Sequence, residues 1–184
     1  MRPAILFIHG AGGGAYEADK QLVHALRSHL GSEYEIRYPH MPDEENAPFE
    51  LWKQVIKDEI ATLGEKVILV GHSVGASVIA KYLSQDEVPG SVSGVMLLSG
   101  PFWGGKGWHY DGYQELVVPE SLATRIPAEV SVFLYHCIDD ETVPFSHLNL
   151  YAELLPQATV RELQEGGHQF DKALSVVAED VQSL

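Results

Sequence analysis

The sequence predicts an α/β protein, a three-layer α/β/α sandwich around a mostly parallel six-stranded sheet. Six short apolar runs alternate with stretches of helical periodicity along the 184 residues. This alternation is typical of parallel strands joined by right-handed helical crossovers, with helices on both faces of the sheet. The length corresponds to one domain over residues 1–184, and the hydrophobic fraction of 45% is that of an ordinary globular protein.

The strands are predicted from the short apolar runs. A continuous run such as residues 4–8 indicates a strand that is covered on both faces, as strands of a parallel sheet are. The run at 34–38 alternates only weakly between apolar and polar residues. The six predicted strands are residues 4–8, 34–38, 67–70, 92–98, 130–136 and 158–163.

The helices are predicted where apolar residues recur three or four positions apart. Leu22, Leu26 and Leu30 form one such stripe, and Gly31 is suited to end that helix. Pro144 is suited to the start of a later helix. The predicted helices are residues 22–30, 51–63, about 76–84, 120–125, 145–155 and 171–181.

The chain is acidic, with 12 Lys and Arg residues against 26 Asp and Glu residues and a net charge of −14. This charge repels phosphate, so we expect neither nucleic acid nor an anionic membrane as a partner. The single cysteine, Cys137, cannot form an internal disulfide, which fits a reducing compartment. No apolar stretch approaches the roughly 20 residues of a membrane helix, and the first run is too short for a signal peptide. We expect a cytoplasmic monomer or homodimer.

The segment Gly71-His72-Ser73-Val74-Gly75 reads G-x-S-x-G between an apolar strand and a helix. A sharp turn at this place lifts a serine hydroxyl above the sheet edge, and the flanking glycines let strand and helix approach closely. The helix N-terminus beneath the serine favours developing negative charge. The pattern alone is weak, but its strand-turn-helix context predicts a nucleophilic Ser73.

A nucleophilic serine needs a base and an acid that orients the base. His168 follows the last strand and the paired glycines Gly166 and Gly167, which places it at the same sheet edge as Ser73. Asp139 and Asp140 follow the fifth strand, and the spacing alone does not separate them. The other candidate bases are His136, His109 and His147, whereas His9 and His72 adjoin the motifs and are expected to orient backbone.

The glycine-rich segment 10–14 follows the first strand and is suited to present backbone N–H groups to an oxyanion. We expect these donors to be Val74, directly after the serine, and Ala11, with Gly12 as the second choice. The dinucleotide-binding pattern G-x-G-x-x-G allows alanine at its last position, and this segment fits that form with Gly10, Gly12 and Ala15. A loop that binds a cofactor is therefore the alternative. We expect no cofactor, and the histidine and cysteine spacings indicate no metal site.

Residues 99–118 show no clear periodicity and carry several aromatic side chains, which predicts a long functional loop. We expect Trp103, Trp108 and Tyr110 to bind substrate. Packing along the loop is an equally good interpretation of these aromatic residues.

These motifs together resemble those of the α/β-hydrolase superfamily over nearly the whole chain. The resemblance rests on residues 9–14, 71–75, 140–144 and 166–168. The acid loop of that superfamily often reads D-x-x-V-P, which selects Asp140 over Asp139. The resemblance implies a sheet in the order 2-1-3-4-5-6 that lacks the superfamily's first two strands and a cap domain. Minimal bacterial lipases and small serine hydrolases of the retinoblastoma-binding-protein type have this reduced form.

The sequence therefore predicts a serine hydrolase that cleaves a carboxylic ester of a small or medium acyl substrate through Ser73, His168 and Asp140. Thioester or amide hydrolysis and cyanohydrin cleavage are alternatives, because the same three side chains serve them and the fold does not distinguish them. A non-catalytic protein that binds a small ligand or a protein is a further alternative. Reactivity toward a fluorophosphonate distinguishes an enzyme from a binding protein.

Overall fold

The computed structural model describes residues 2–104, 110–171 and 173–184. Its centre is a six-stranded sheet in the order β2-β1-β3-β4-β5-β6, and every neighbouring pair is parallel. The strands are β1 (Ala4–Ile8), β2 (Glu35–Arg37), β3 (Val67–His72), β4 (Val92–Leu98), β5 (Ser131–Cys137) and β6 (Thr159–Leu163). The predicted strand order is confirmed.

Helices cover both faces of this sheet. They are α1 (Ala15–Leu30), α2 (Phe49–Thr62), α3 (Val74–Gln85), α4 (Leu122–Arg125), α5 (Ser146–Leu154) and α6 (Leu174–Gln182). Short 3₁₀ turns lie at Gly31–Glu33 and Gln114–Leu116. All described segments belong to the sheet, to these helices or to their connections, and they form no cap domain.

Two hydrophobic cores lie on opposite faces of the sheet, because successive side chains of a strand point to opposite sides. In β1, Ile5 and Phe7 pack with α1 and α6 in one core. Leu6 and Ile8 pack with α2, α3, α4 and α5 in the other. This arrangement confirms the predicted three-layer α/β/α fold.

The first helix begins at Ala15, well before the predicted start at residue 22. Its first turn is stabilised by Glu44, whose two carboxylate oxygens accept hydrogen bonds from the N–H groups of Gly14 at 2.8 Å and Tyr16 at 2.9 Å. Side-chain oxygens satisfy the unpaired N–H groups of a helix start. Because this capping group comes from a distant loop, local periodicity could not locate the helix start.

The last helix begins at Leu174 rather than at residue 171. Phe170 and Asp171 have positive φ angles of 55° and 20°, which right-handed helices exclude. β3 also continues through His72, beyond the predicted end at residue 70, and α3 follows after a single residue. The turn between β3 and α3 is therefore tighter than predicted.

Since all six strands are parallel, the loops that follow β1, β3, β5 and β6 open at one edge of the sheet. Ligands of open parallel sheets bind at this carboxyl edge. Across the described ranges, no helix is both long and apolar enough to cross a membrane.

Candidate active site

Ser73 occupies the turn between β3 and α3 with φ 52° and ψ −126°. This is a strained conformation for a residue with a side chain. Glycines on either side make the turn possible, because a Cβ at Gly71 would lie 2.7 Å from Cα of Ala76. A Cβ at Gly75 would overlap the carbonyl oxygens of Ile8 and His9. The local sequence thus allows β3 and α3 to meet at a sharp turn that bears a serine.

His168 and Asp140 meet across two loops. Nδ1 of His168 lies 2.9 Å from Oδ2 of Asp140 and 3.1 Å from its Oδ1. The carboxylate is an acceptor, so Nδ1 carries the proton and Nε2 is left as the basic nitrogen. The loop bends back through Gly166 and Gly167, which have φ angles of 143° and 61°. His168 is therefore held in the tautomer that a general base requires.

The carboxylate of Asp140 is buried and firmly held as an anion. Its Oδ1 accepts the N–H groups of Thr142 at 2.9 Å and Val143 at 2.8 Å, and its Oδ2 lies 3.2 Å from Nε2 of His136. Burial alone would raise the pKa of Asp140, but the hydrogen bonds from His136 and His168 hold it well below its ordinary value. The site thus contains a fixed negative charge beneath His168.

The two acids beside Asp140 hold the backbone of the His168 loop. Asp139 accepts the N–H groups of Gly166 at 3.2 Å and Gly167 at 2.9 Å. Glu141 accepts the N–H of His168 at 3.2 Å. This anchoring by the two neighbouring acids was not predicted from the sequence. Asp139 contacts the loop backbone, whereas Asp140 contacts the imidazole.

The predicted oxyanion donors differ in their availability. The N–H of Val74, the first residue of α3, has no acceptor inside its own helix. In the described part of the chain, the Ala11 N–H donates no hydrogen bond. The Gly12 N–H donates to the Glu44 carbonyl at 2.8 Å. Ala11 is therefore better placed than Gly12 to serve with Val74.

These groups surround a cleft of about 280 Å³. Its walls include Ser73, Val74, His168, Ala11 and Gly12 together with the aromatic residues Trp103, Tyr110 and Tyr113. In the described segments the Ser73 hydroxyl makes no hydrogen bond, and catalytic hydrogen bonds often tighten only when substrate is bound. The structure thus brings Ser73 and His168 to one cleft without joining them directly.

Trp103 and Tyr110 form an aromatic wall with Tyr113. The ring centroid of Trp103 lies 6.2 Å from that of Tyr110 and 5.5 Å from that of Tyr113. Trp103 is 5% exposed and Tyr110 is 53% exposed, so only Trp103 also belongs to the core. Two predictions concern residues outside the described ranges: substrate binding by Trp108 and the alternative base His109.

The remaining candidate bases do not line the cleft. His136 is buried behind Asp140, and its Nε2 also lies 2.9 Å from the Val143 carbonyl. Nδ1 of His147 accepts the N–H of Phe102 at 2.7 Å, and burial together with the nearby His136 lowers the pKa of His147 to about 4. Both therefore act within the scaffold. No group of three potential metal ligands occurs among the described residues.

His9 and His72 contact backbone groups, as expected. Nε2 of His9 accepts the N–H of Met41 at 3.0 Å, and Nε2 of His72 lies 2.9 Å from the His168 carbonyl. Sequence reasoning missed the partner of His72, the buried carboxylate of Asp19. Its signal was present, because Asp19 lies three and four positions before Leu22 and Val23 on the apolar face of α1.

The chain is similar to proteins of known family and structure over nearly its whole length. A model of the alpha/beta hydrolase family matches residues 5–179. The ydeN gene product of B. subtilis is 21% identical over 98% of this chain and 97% of that chain, with a TM-score of 0.71. SOBER1 of Arabidopsis thaliana is 17% identical over 100% of this chain and 99% of that chain, also with a TM-score of 0.71.

A serine hydrolase of the polyaromatic-hydrocarbon-degrading bacterium Cycloclasticus zankles is 15% identical over 99% of this chain and 89% of that chain, with a TM-score of 0.76. At these identities the likeness to the solved structures shows the fold alone. No curated protein sequence matches the chain significantly.

Proposed function

Because the chain belongs to the alpha/beta hydrolase family, we propose that it is a serine hydrolase that cleaves carboxylic esters with small or medium acyl groups. The observation that carries this proposal is the 2.9 Å contact between His168 Nδ1 and Asp140, at the cleft that also contains the strained Ser73. A protein that only binds a ligand has no chemical need for a serine, an imidazole and a buried carboxylate at one cleft.

In the proposed acylation step, Nε2 of His168 removes the proton of the Ser73 hydroxyl as its oxygen attacks the ester carbonyl carbon. The carbonyl oxygen becomes an oxyanion, which the N–H groups of Val74 and Ala11 stabilise. Asp140 accepts the hydrogen bond from Nδ1–H of His168, so that this proton stays on the imidazole, and its charge stabilises the imidazolium that forms. When the tetrahedral intermediate collapses, His168 donates its proton to the departing alkoxide and leaves the acyl group on Ser73.

In the proposed deacylation step, the same groups act on water. His168 removes a proton from water as the water oxygen attacks the acyl carbonyl, and the two N–H groups again stabilise the oxyanion. Collapse of this second intermediate breaks the bond to the Ser73 oxygen, which recovers its proton from His168. The products are a carboxylic acid and an alcohol, and no step requires a cofactor.

The size of the cleft supports a small substrate. Its volume of about 280 Å³ is near the lower end of the roughly 300 to 1,000 Å³ typical of ligand sites. The described walls are mostly glycine, alanine and aromatic residues, so an apolar acyl group is favoured over a charged one. We propose a short, uncharged acyl chain that packs against Trp103.

The test is hydrolysis of p-nitrophenyl esters from acetate to decanoate, with the matching thioester and anilide of the best acyl group. Wild type is compared with Ser73→Ala and with Ser28→Ala, a control at an exposed serine of α1. We expect turnover by wild type and Ser28→Ala only, fluorophosphonate labelling of the same two proteins, and a preference for short acyl chains. Absence of both turnover and labelling in folded wild type would overturn the proposal.

A further inference from the structure

Behind Ser73 lies a second carboxylate–imidazole pair that the proposed mechanism does not use. Nδ1 of His72 lies 2.8 Å from Oδ2 of Asp19, and each residue is 1% exposed. Asp19 comes from α1, and His72 is the last residue of β3, directly before Ser73. The two residues form the back wall of the cleft.

The hydrogen-bond partners determine the charge of this pair. Nδ1 of His72 faces a carboxylate and its Nε2 faces the His168 carbonyl at 2.9 Å, so both nitrogens face acceptors. A neutral imidazole has only one N–H. Asp19 in turn accepts the Gly10 N–H at 2.8 Å and the Gln169 side-chain amide at 3.2 Å, so neither of its oxygens has reason to carry a proton. The pair is therefore an imidazolium and a carboxylate.

The electrostatic balance agrees with this assignment. Burial alone would lower the pKa of His72, but the charge of Asp19 and its hydrogen bond raise it above the ordinary histidine value. Burial alone would raise the pKa of Asp19, but His72, Gly10 and Gln169 lower it below the ordinary value. Both partners remain charged because each of them supplies the other's counter-charge and because the surrounding hydrogen bonds are satisfied.

The pair joins the three loops on which the proposed reaction depends. Asp19 accepts a hydrogen bond from the N–H of Gly10, the residue before the proposed oxyanion donor Ala11. Gly10 is also close to the nucleophile, because a Cβ at Gly10 would lie 3.3 Å from Cβ of Ser73. His72 hydrogen-bonds to the His168 carbonyl, and Asp19 also accepts a hydrogen bond from the side-chain amide of Gln169 on the same loop. The oxyanion loop, the Ser73 turn and the His168 loop thus meet at one buried pair, and the His72 ring lies 4.8 Å, centroid to centroid, from the imidazole of His168.

We propose that Asp19 and His72 are positioning residues, a buried ion pair that sets the placement of His168 and of the oxyanion loop relative to Ser73. This proposal rests on the proposed serine-hydrolase function. A buried ion pair adds little net stability, because the loss of hydration offsets the attraction between the charges. Its contribution here is geometric, and small displacements in an active site have large kinetic effects.

The test compares Asp19→Asn with a matched control. Asp180, on α6, is also a buried carboxylate, and it accepts hydrogen bonds from Tyr135 and from Arg161 outside the cleft. Asp180→Asn therefore removes a buried charge without touching the site. We expect Asp19→Asn to lower kcat about a hundredfold, the effect of a displacement near 1 Å, while KM changes less than about threefold. We expect Asp180→Asn to destabilise the fold and leave kcat within about twofold.

A spectroscopic readout separates positioning from general loss of structure. In wild type, NMR should show both ring nitrogens of His72 protonated and a downfield proton for the hydrogen bond between His168 Nδ1 and Asp140. In folded Asp19→Asn this His168 signal should shift, and in Asp180→Asn it should not. Wild-type kcat or an unshifted His168 signal in folded Asp19→Asn would overturn the proposal. If Asp19→Asn does not fold, Gln169→Ala is measured in its place. A lowered kcat of Gln169→Ala would support the proposal, and an unchanged kcat would overturn it.

The two proposals fail differently. If folded wild type neither hydrolyses the esters nor is labelled by the fluorophosphonate, the proposed serine-hydrolase function is overturned. The His168 proton signal then still tests the placement of that side chain by Asp19 and His72, because it requires no substrate. Active wild type with an Asp19→Asn variant of equal kcat overturns the positioning role alone.

Discussion

The carboxylate of Asp140 lies 2.9 Å from Nδ1 of His168, although 28 positions separate the two residues in the chain. On its other side the same carboxylate lies 3.2 Å from the buried His136. Asp140 is thereby fixed between two imidazoles, and two backbone N–H groups of its own loop fill its remaining acceptor positions. A carboxylate held in this way keeps both its charge and its direction, which the proposed role of orienting His168 requires.

Asp140→Asn should lower kcat for p-nitrophenyl acetate by about 10⁴-fold, because an amide no longer imposes the tautomer in which His168 Nε2 is basic. Asp139→Asn should cost less than about tenfold, since its contacts are with the backbone N–H groups of Gly166 and Gly167 and an amide oxygen still accepts from one of them. The reverse order of effects in steady-state kinetics would move the acid to Asp139.

Ser73→Ala and Ser73→Gly should both be inactive, yet they should differ in stability. Ser73 has φ 52°, a conformation that strains alanine as much as serine and that glycine adopts freely. We expect the free energy of unfolding to be about 1 kcal/mol higher for Ser73→Gly than for Ser73→Ala. Urea denaturation of the two variants measures this difference. Equal stability would contradict this expectation and would show that the strain relieved at this residue does not exceed the extra chain entropy that glycine loses on folding.

Acid should destabilise wild type more than Asp140→Asn. The lowered pKa of Asp140 means that its folded form holds the charge more strongly than the unfolded chain does. The resulting stability is fully present above the unfolded value of about 3.9 and is lost as pH falls below it. Urea midpoints at pH 6 and pH 3 measure the loss. The other acids are common to both proteins, so parallel losses would contradict the assigned pKa.

Widening the aromatic wall should move the acyl preference. Trp103→Ala removes a core side chain that lines the cleft, so the best p-nitrophenyl ester should have a longer acyl chain than in wild type. The same change should cost about 3 to 5 kcal/mol of stability, as large-to-small core changes do. Tyr110→Ala, at a half-exposed ring of the same wall, should cost little stability. An identical chain-length profile in Trp103→Ala would return this residue to a packing role.

The order of the elements was predictable because it depends on local patterns. The continuous apolar run 4–8 requires cover on both faces, and the stripe of Leu22, Leu26 and Leu30 requires a helix. The turn at Ser73 was predictable for the same reason, because the clashes that require Gly71 and Gly75 arise within a few residues and against the adjoining strand. The start of α1 was not predictable, because its cap is Glu44, from a loop beyond β2.

The sequence by itself determined the layers and the residue types expected at one sheet edge, and its resemblance to the α/β-hydrolase superfamily implied the strand order. Only the tertiary structure decided which of these residues meet. In the structure Asp140 contacts the imidazole of His168, whereas Asp139 contacts the backbone of Gly167. The N–H of Gly12 donates to the Glu44 carbonyl, and Asp19 pairs with His72. The physical reason is that strands and helices follow from repeats within a few residues, whereas hydrogen bonds between loops depend on the packing of the whole sheet.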